Sequence, residues 1–330
     1  MTAFDGLFAQ NYVYPLAVQA YQPTFTLAYS NPGEILVDTT SVSYLAATAA
    51  APSAGSIEML GSMLRPVGAG NVPTTAAVAA AEGLGTAAAD PDAPLPPISI
   101  AGAATVAPPL PVDKRFGWVC VDGSRLIVSF RGTQTAGDWL NNIDFVHEPY
   151  RPDPAAGNVH QGFQHVYYAI RDSLIGLVTA RLTGITEILV TGHSLGGALT
   201  ALAMPDLLSV IAAAQPAAPA LAPTLYNLES PRVGNRAFQT YFNSKTGCWR
   251  IVNIWDVVPH VPPALADYVH VGEQLTIDSG FSLDVAKNHV LATGCLPGLI
   301  TWNQKHAPTD VASVGTVVPG RRDVPPGVSD

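Results

Sequence analysis

Glu187-Ile188-Leu189-Val190-Thr191-Gly192-His193-Ser194-Leu195-Gly196-Gly197-Ala198-Leu199-Thr200 joins a short apolar run to a run of small and apolar residues through a glycine-rich turn that carries one serine. The first run has the length of a buried strand, and the second has the composition of a core helix. A G-x-S-x-G turn in this strand–turn–helix setting forces its central residue into a strained backbone conformation, which flanking glycines make sterically feasible. Ser194 is therefore expected to project its hydroxyl from the end of a sheet, at the positive end of the following helix. Leu195 N–H, the first free amide of that helix, is expected to point where an oxyanion would form. Ser194 is a candidate nucleophile, and a catalytic reading then needs a base, an acid and a second oxyanion donor.

Outward from the turn, strand and helix patterns alternate. Phe163, Val166, Tyr167, Ile170, Leu174, Leu177 and Val178 recur at helical spacing over residues 161–182. After the turn come a strand at 224–228, a helix at 234–243 and a strand at 249–254, read as the final parallel-type strand. A hairpin-like pair is expected between Tyr268 and Ile277. Upstream, Phe116 to Val121 and Leu126 to Phe130 flank Asp122-Gly123, a hairpin signal. The spacing predicts an α/β fold, a mostly parallel central sheet with helices on both faces.

The chain reads as a single domain over residues 1–330. Residues 4–22 are expected to form an opening helix, and 34–37 and 42–45 read as strands. Residues 46–111 shift to Ala, Pro, Gly and Thr and read as an insertion, or as a flap beside the site. Thr135-Ala136-Gly137-Asp138 has the spacing of a capping box, followed by Trp139, Leu140 and Ile143 on one helical face. That short helix reads either as a lid or as an ordinary surface helix with Trp139 in the core. Residues 315–330, rich in Pro, Gly and Val, read as a mobile tail.

Composition removes several function classes. The 330 residues are 48% apolar and 12% charged, with a net charge of −9 and no Lys/Arg cluster, which argues against a nucleic-acid partner. No stretch approaches a transmembrane span. Met1-Thr2-Ala3-Phe4-Asp5-Gly6 lacks a basic region, so no secretory signal is expected and a cytoplasmic location is the default, with export by another route left open. Cys120 reads as a buried strand residue. Cys248 and Cys295 are expected to be reduced thiols, a bridge between them being the alternative.

In sheets of this type functional groups sit at the carboxyl ends of strands. Asp256 follows the strand at 249–254 and is the candidate acid. Glu229, at the end of the preceding strand, is the runner-up, and Asp206 lies within the helix after Ser194, facing away. Among histidines after Asp256, His260 is too near it and lies between prolines, and His270 sits in an apolar run that suggests a structural role. His289, opening Val290-Leu291-Ala292 on a loop ahead of a further helix, is the candidate base. His193 precedes the nucleophile and is expected to be structural.

Taken in order, Phe130-Arg131-Gly132-Thr133, Asp138-Trp139-Leu140, His160-Gln161-Gly162-Phe163, Gly192-His193-Ser194-Leu195-Gly196-Gly197, Ser230-Pro231-Arg232-Val233-Gly234-Asn235 and Asp256-Val257-Val258-Pro259 resemble the class 3, fungal-lipase-like α/β-hydrolase family over roughly residues 112–300. The resemblance implies the α/β-hydrolase fold and the triad Ser194, Asp256 and His289. It also implies that Thr133 supplies the second oxyanion donor beside Leu195, that Asp138, Trp139 and Leu140 belong to a lid, and that Tyr268 to Glu273 form a structural hairpin. Glu229 stands where that family usually has glycine. The expected activity is hydrolysis of acylglycerol or similar apolar esters at a lipid–water interface, with no metal or cofactor. The alternatives are an esterase or phospholipase on the same scaffold and a non-catalytic binding protein.

Overall fold

The structure is a computed structural model that describes residues 3–21, 38–46, 115–132, 145–217 and 220–306. Its centre is a seven-stranded sheet in the order β1-β2-β3-β6-β7-β8-β9. These strands are β1 (Asp38–Ala46), β2 (Arg115–Asp122), β3 (Arg125–Phe130), β6 (Glu187–His193), β7 (Ala222–Leu228), β8 (Trp249–Asn253) and β9 (Glu273–Ile277). β1 and β2 pair antiparallel, as do β2 and β3, while the four pairings from β3 to β9 are parallel. A separate two-stranded ribbon joins β4 (His147–Pro149) to β5 (Asn158–His160).

Alternating side chains on the strands divide the core into two layers, as expected for a sheet buried on both faces. Val128, Phe130, Ile188 and Val190 pack with helices α2 (Gln161–Thr179), α3 (Leu195–Ala214) and α4 (Arg236–Lys245). Ile127 and Leu189 point the other way, into a layer built by the two ends of the described chain. One end is α1, a continuous helix made of Gly6–Phe8, a π segment at Ala9–Val13 and Tyr14–Gln19. The other is α6 (Leu296–His306), preceded by a π turn at Leu291–Cys295. Asn303 Nδ2 donates to Gly6 O at 2.9 Å and to Gln10 Oε1 at 2.7 Å, and the rings of Phe4 and Trp302 meet edge-on at 4.9 Å. The expected α/β sheet with helices on both faces is the one observed.

α3 is long and apolar enough to cross a membrane, but it is mostly buried, packed between α2 and the sheet. Its one buried acid, Asp206, takes Arg171 Nε at 2.5 Å, Arg171 Nη2 at 2.8 Å and Tyr167 Oη at 2.6 Å, all from α2. The ion pair and the tyrosine satisfy a charge that would be prohibitive alone in that layer. Cys120, Cys248 and Cys295 are buried, and none of them forms a disulfide among the described residues.

The hairpin expected at 268–277 is not there. Val269 makes an isolated bridge to Gly234, and Gly272 turns the chain at φ 64. Residues Glu273–Ile277 then run parallel to β8, from Trp249↔Glu273 to Asn253↔Ile277, so β9 rather than β8 ends the sheet. A Cβ on residue 272 would run into the Cys248 backbone, so the turn requires glycine. The insertion, Thr133, the segment 135–143 with Asp138, Trp139 and Leu140, and the tail at 315–330 lie outside the described residues, apart from Ala46 in β1.

Candidate active site

Ser194 stands between β6 and α3 with φ 58 and ψ −127, outside the regions that a side chain favours. Its backbone is held from both sides. Ser194 N–H donates to Leu228 O at 3.0 Å, and Gly197 N–H returns to Ser194 O at 2.9 Å. The glycines make this turn closable. A Cβ at Gly192 would meet the Gly196 carbonyl, one at Gly196 the Phe130 carbonyl, and one at Gly197 would lie 2.6 Å from Ser230 Cβ. Leu195 opens α3, and its N–H is among the amides that no intrahelical carbonyl can reach.

Asp256 and His289 come together from separate elements. Asp256 follows β8, where its Oδ1 accepts from Val258 N–H at 2.9 Å. Its Oδ2 accepts from His289 Nδ1–H at 2.7 Å, with both residues buried. His289 ends a short helix, α5 (Val285–His289), rather than standing on a loop ahead of one. The helix starts early because Asp284 caps it, accepting from Ala286 N–H at 3.1 Å and Lys287 N–H at 3.4 Å. With a proton on Nδ1, His289 Nε2 presents a lone pair. Ser194 Oγ and His289 Nε2 are both buried, and neither makes a hydrogen bond to the other or to any further group among the described residues.

His193 does more than fill space. Its Nε2 lies 2.8 Å from the backbone oxygen of His289, an atom that can only accept, so Nε2 carries the proton. Nδ1 therefore accepts from Tyr21 Oη at 2.7 Å, and Tyr21 Oη accepts in turn from Gly132 N–H at 3.0 Å. A single polar chain thus ties the end of β3, α1, the serine turn and the His289 segment together. Burial, reinforced by His289 nearby, holds the His193 imidazole well below its ordinary 6.5. His193 was expected to be structural; Tyr21, contacting it across 172 residues, carries no local sequence signal.

The other candidates fall elsewhere. His270 Nε2 donates to Pro259 O at 2.7 Å, and burial pushes this histidine down to about 3. His260 is exposed at the end of a short 3-10 turn. Glu229, the runner-up acid, is fully buried one residue past β7, and its Oε2 accepts from Asn253 N–H at 2.9 Å. Around the buried Asp256 the surface is apolar: Trp255 and Val257 are exposed on its loop, and the Trp255 ring meets exposed Phe281 at 4.9 Å.

The profile of the class 3 lipase family matches residues 127–266. Among curated proteins, a lipase of Rhizomucor miehei is 31% identical over 183 residues, covering 54% of this chain and 49% of its own length. A lipase of Rhizopus niveus is 36% identical over 181 residues, covering 52% and 44%. A secreted mono- and diacylglycerol lipase of Fusarium solani is 31% identical over 169 residues, covering 49% and 47%. The chain thus matches about half the length of these relatives. The matched segment runs from within β3 through the serine turn, β7 and β8 to beyond Asp256, and over it the chain is similar to the class 3, fungal-lipase-like proteins.

Proposed function

We propose that the chain is a serine carboxylester hydrolase of lipase type, acting on acylglycerol or similar apolar esters through an acyl-enzyme. The observation that carries this reading is the 2.7 Å contact between Asp256 Oδ2 and His289 Nδ1, which fixes the imidazole tautomer that a serine nucleophile needs. Ser194 Oγ attacks the ester carbonyl carbon and its proton passes to His289 Nε2. Asp256 stabilises the imidazolium so formed. The oxyanion is held by Leu195 N–H, with Thr133 N–H as the second donor. As the tetrahedral species collapses, the ester C–O bond breaks and His289 returns the proton to the departing alcohol. A water then repeats the sequence, losing its proton to His289 and releasing the acid and Ser194. The lipase and mono- and diacylglycerol lipase names of the relatives support ester substrates, and the exposed Trp255 and Phe281 beside the site support apolar ones. In this reading the segment with Asp138, Trp139 and Leu140 is a lid.

Hydrolysis of p-nitrophenyl esters of increasing acyl length, with emulsified triacylglycerol alongside and Ser194→Ala as control, tests the reading. Turnover of long-chain esters and triacylglycerol that disappears in Ser194→Ala is expected. Short-chain activity alone would make the protein an esterase, and no ester turnover would overturn the hydrolase reading.

A further inference from the structure

Glu229 occupies an unfavourable place for a carboxylic acid. Its backbone has φ 53, in the left-handed region that disfavours a side chain. Its side chain is fully buried, with Oε2 accepting from Asn253 N–H and Oε1 receiving no hydrogen bond from a donor among the described residues. The carboxyl faces Asp256, and burial first, then Asp256, pushes it well above the ordinary carboxylate range. Cys295, from the π turn, lies near both carboxyls, and burial first, then these two acids, pushes its thiol well above its usual value. Packing an apolar core needs neither the backbone strain nor the buried acid.

Two carboxyls in one dry site hold a proton between them rather than two charges. Hydrogen-bond donors decide where it goes. Among the described residues Asp256 receives two, Val258 N–H on Oδ1 and His289 Nδ1–H on Oδ2, whereas Glu229 receives Asn253 N–H alone. The anion therefore settles on Asp256 and the proton on Glu229. We propose that Glu229 is a positioning residue of this site, a neutral acid that donates its proton to the Asp256 carboxylate and so withdraws part of the charge that His289 feels. The groups facing it are Asp256 from the loop after β8, the Asn253 amide and Cys295, with His289 reached through Asp256 and His193 beyond it. Glutamine at 229 would keep both the donor and the acceptor without charge. Alanine or leucine would remove the donor.

The experiment is an NMR titration of the His289 imidazole in histidine-labelled full-length protein, with the signal assigned by its loss in His289→Ala. Glu229→Gln is expected to keep the parent's titration midpoint. Glu229→Ala is expected to raise it by about one pH unit, because Asp256 regains its full charge. Glu229→Leu, which keeps the side-chain volume, should behave as Glu229→Ala does and serves where the alanine variant does not fold. The acid limb of kcat/KM on a p-nitrophenyl ester should follow the same order. A midpoint that falls in Glu229→Gln would mean that Glu229 is ionised, and one midpoint shared by all variants would mean that it only fills space; either result overturns the proposal. Only the kinetic arm rests on the ester-hydrolase reading. A parent without ester turnover would fail that reading, while the NMR midpoints would still decide the role of Glu229.

Discussion

His193 Nε2 donates to the backbone oxygen of His289 at 2.8 Å, so the residue before the candidate nucleophile holds the segment that carries the candidate base. The link continues through Nδ1 to Tyr21 and Gly132. Tyr21→Phe would leave a buried ring nitrogen and a backbone N–H without their present partner, at a cost of about 2 kcal/mol. Urea unfolding should report that loss. Ester turnover should fall with it, because both the His289 segment and the strand end before Thr133 lose a tether. Unchanged stability and turnover would show that this chain does not hold the site.

Acid should destabilise the fold. His193 is held well below 6.5 and His270 at about 3, in both cases chiefly by burial. Below pH 6.5 the unfolded chain binds a proton at each residue that the folded chain refuses, so stability falls as pH falls. Glu229 acts in the opposite sense: above pH 4.5 the folded chain keeps a proton there that the unfolded chain releases. His147, lowered by burial as well, adds to the two, so the histidines outweigh Glu229 and leave a net loss of at least about 1.4 kcal/mol per pH unit on going down from 6.5 towards 4.5. Urea midpoints taken across that window measure the slope, and Glu229→Gln should steepen it by removing the opposing group.

The pairing of α2 with α3 rests on one buried charge. Arg171→Met would leave Asp206 with Tyr167 Oη as its one remaining named donor. Breaking such a pair costs about 3 kcal/mol. Asp206→Asn combined with Arg171→Met should recover part of that loss, since the buried charge goes as well. A double variant as unstable as the single one would contradict this account.

The rings of Trp255 and Phe281 meet edge-on at the exposed rim beside Asp256. Replacing both with serine should weaken adsorption to an emulsion, since this apolar area would no longer leave water on contact. Turnover of a short soluble ester should change little. Equal losses on both substrates would place these rings in the structure of the site rather than in its contact with lipid.

Much of this arrangement was legible because it is local. The glycines around Ser194 announce a turn that a Cβ would obstruct, and the end of a strand predicts where Asp256 stands. β9 was misread because Tyr268 to Val271 has the alternating apolar pattern of a strand; what decides its course is Gly272 turning against Cys248, a contact made from another part of the chain. Tyr21 and the burial of Glu229 were invisible for the same reason, since each depends on partners brought in by the sheet. Thr133 and the segment at 138–140 lie outside the described residues, so their roles rest on the resemblance alone.

The clasp between α1 and α6 sets an order of events during synthesis. Asn303 and Gly6 are separated by 297 positions, so α1 waits for α6 to be synthesised before the two can dock. Tyr21 follows that helix directly, and the histidine it supports is tied to a residue near the same late segment. A nascent chain can thus form the serine turn while the His289 segment remains unanchored. The polar chain through His193 is therefore completed only after α1 and α6 have met.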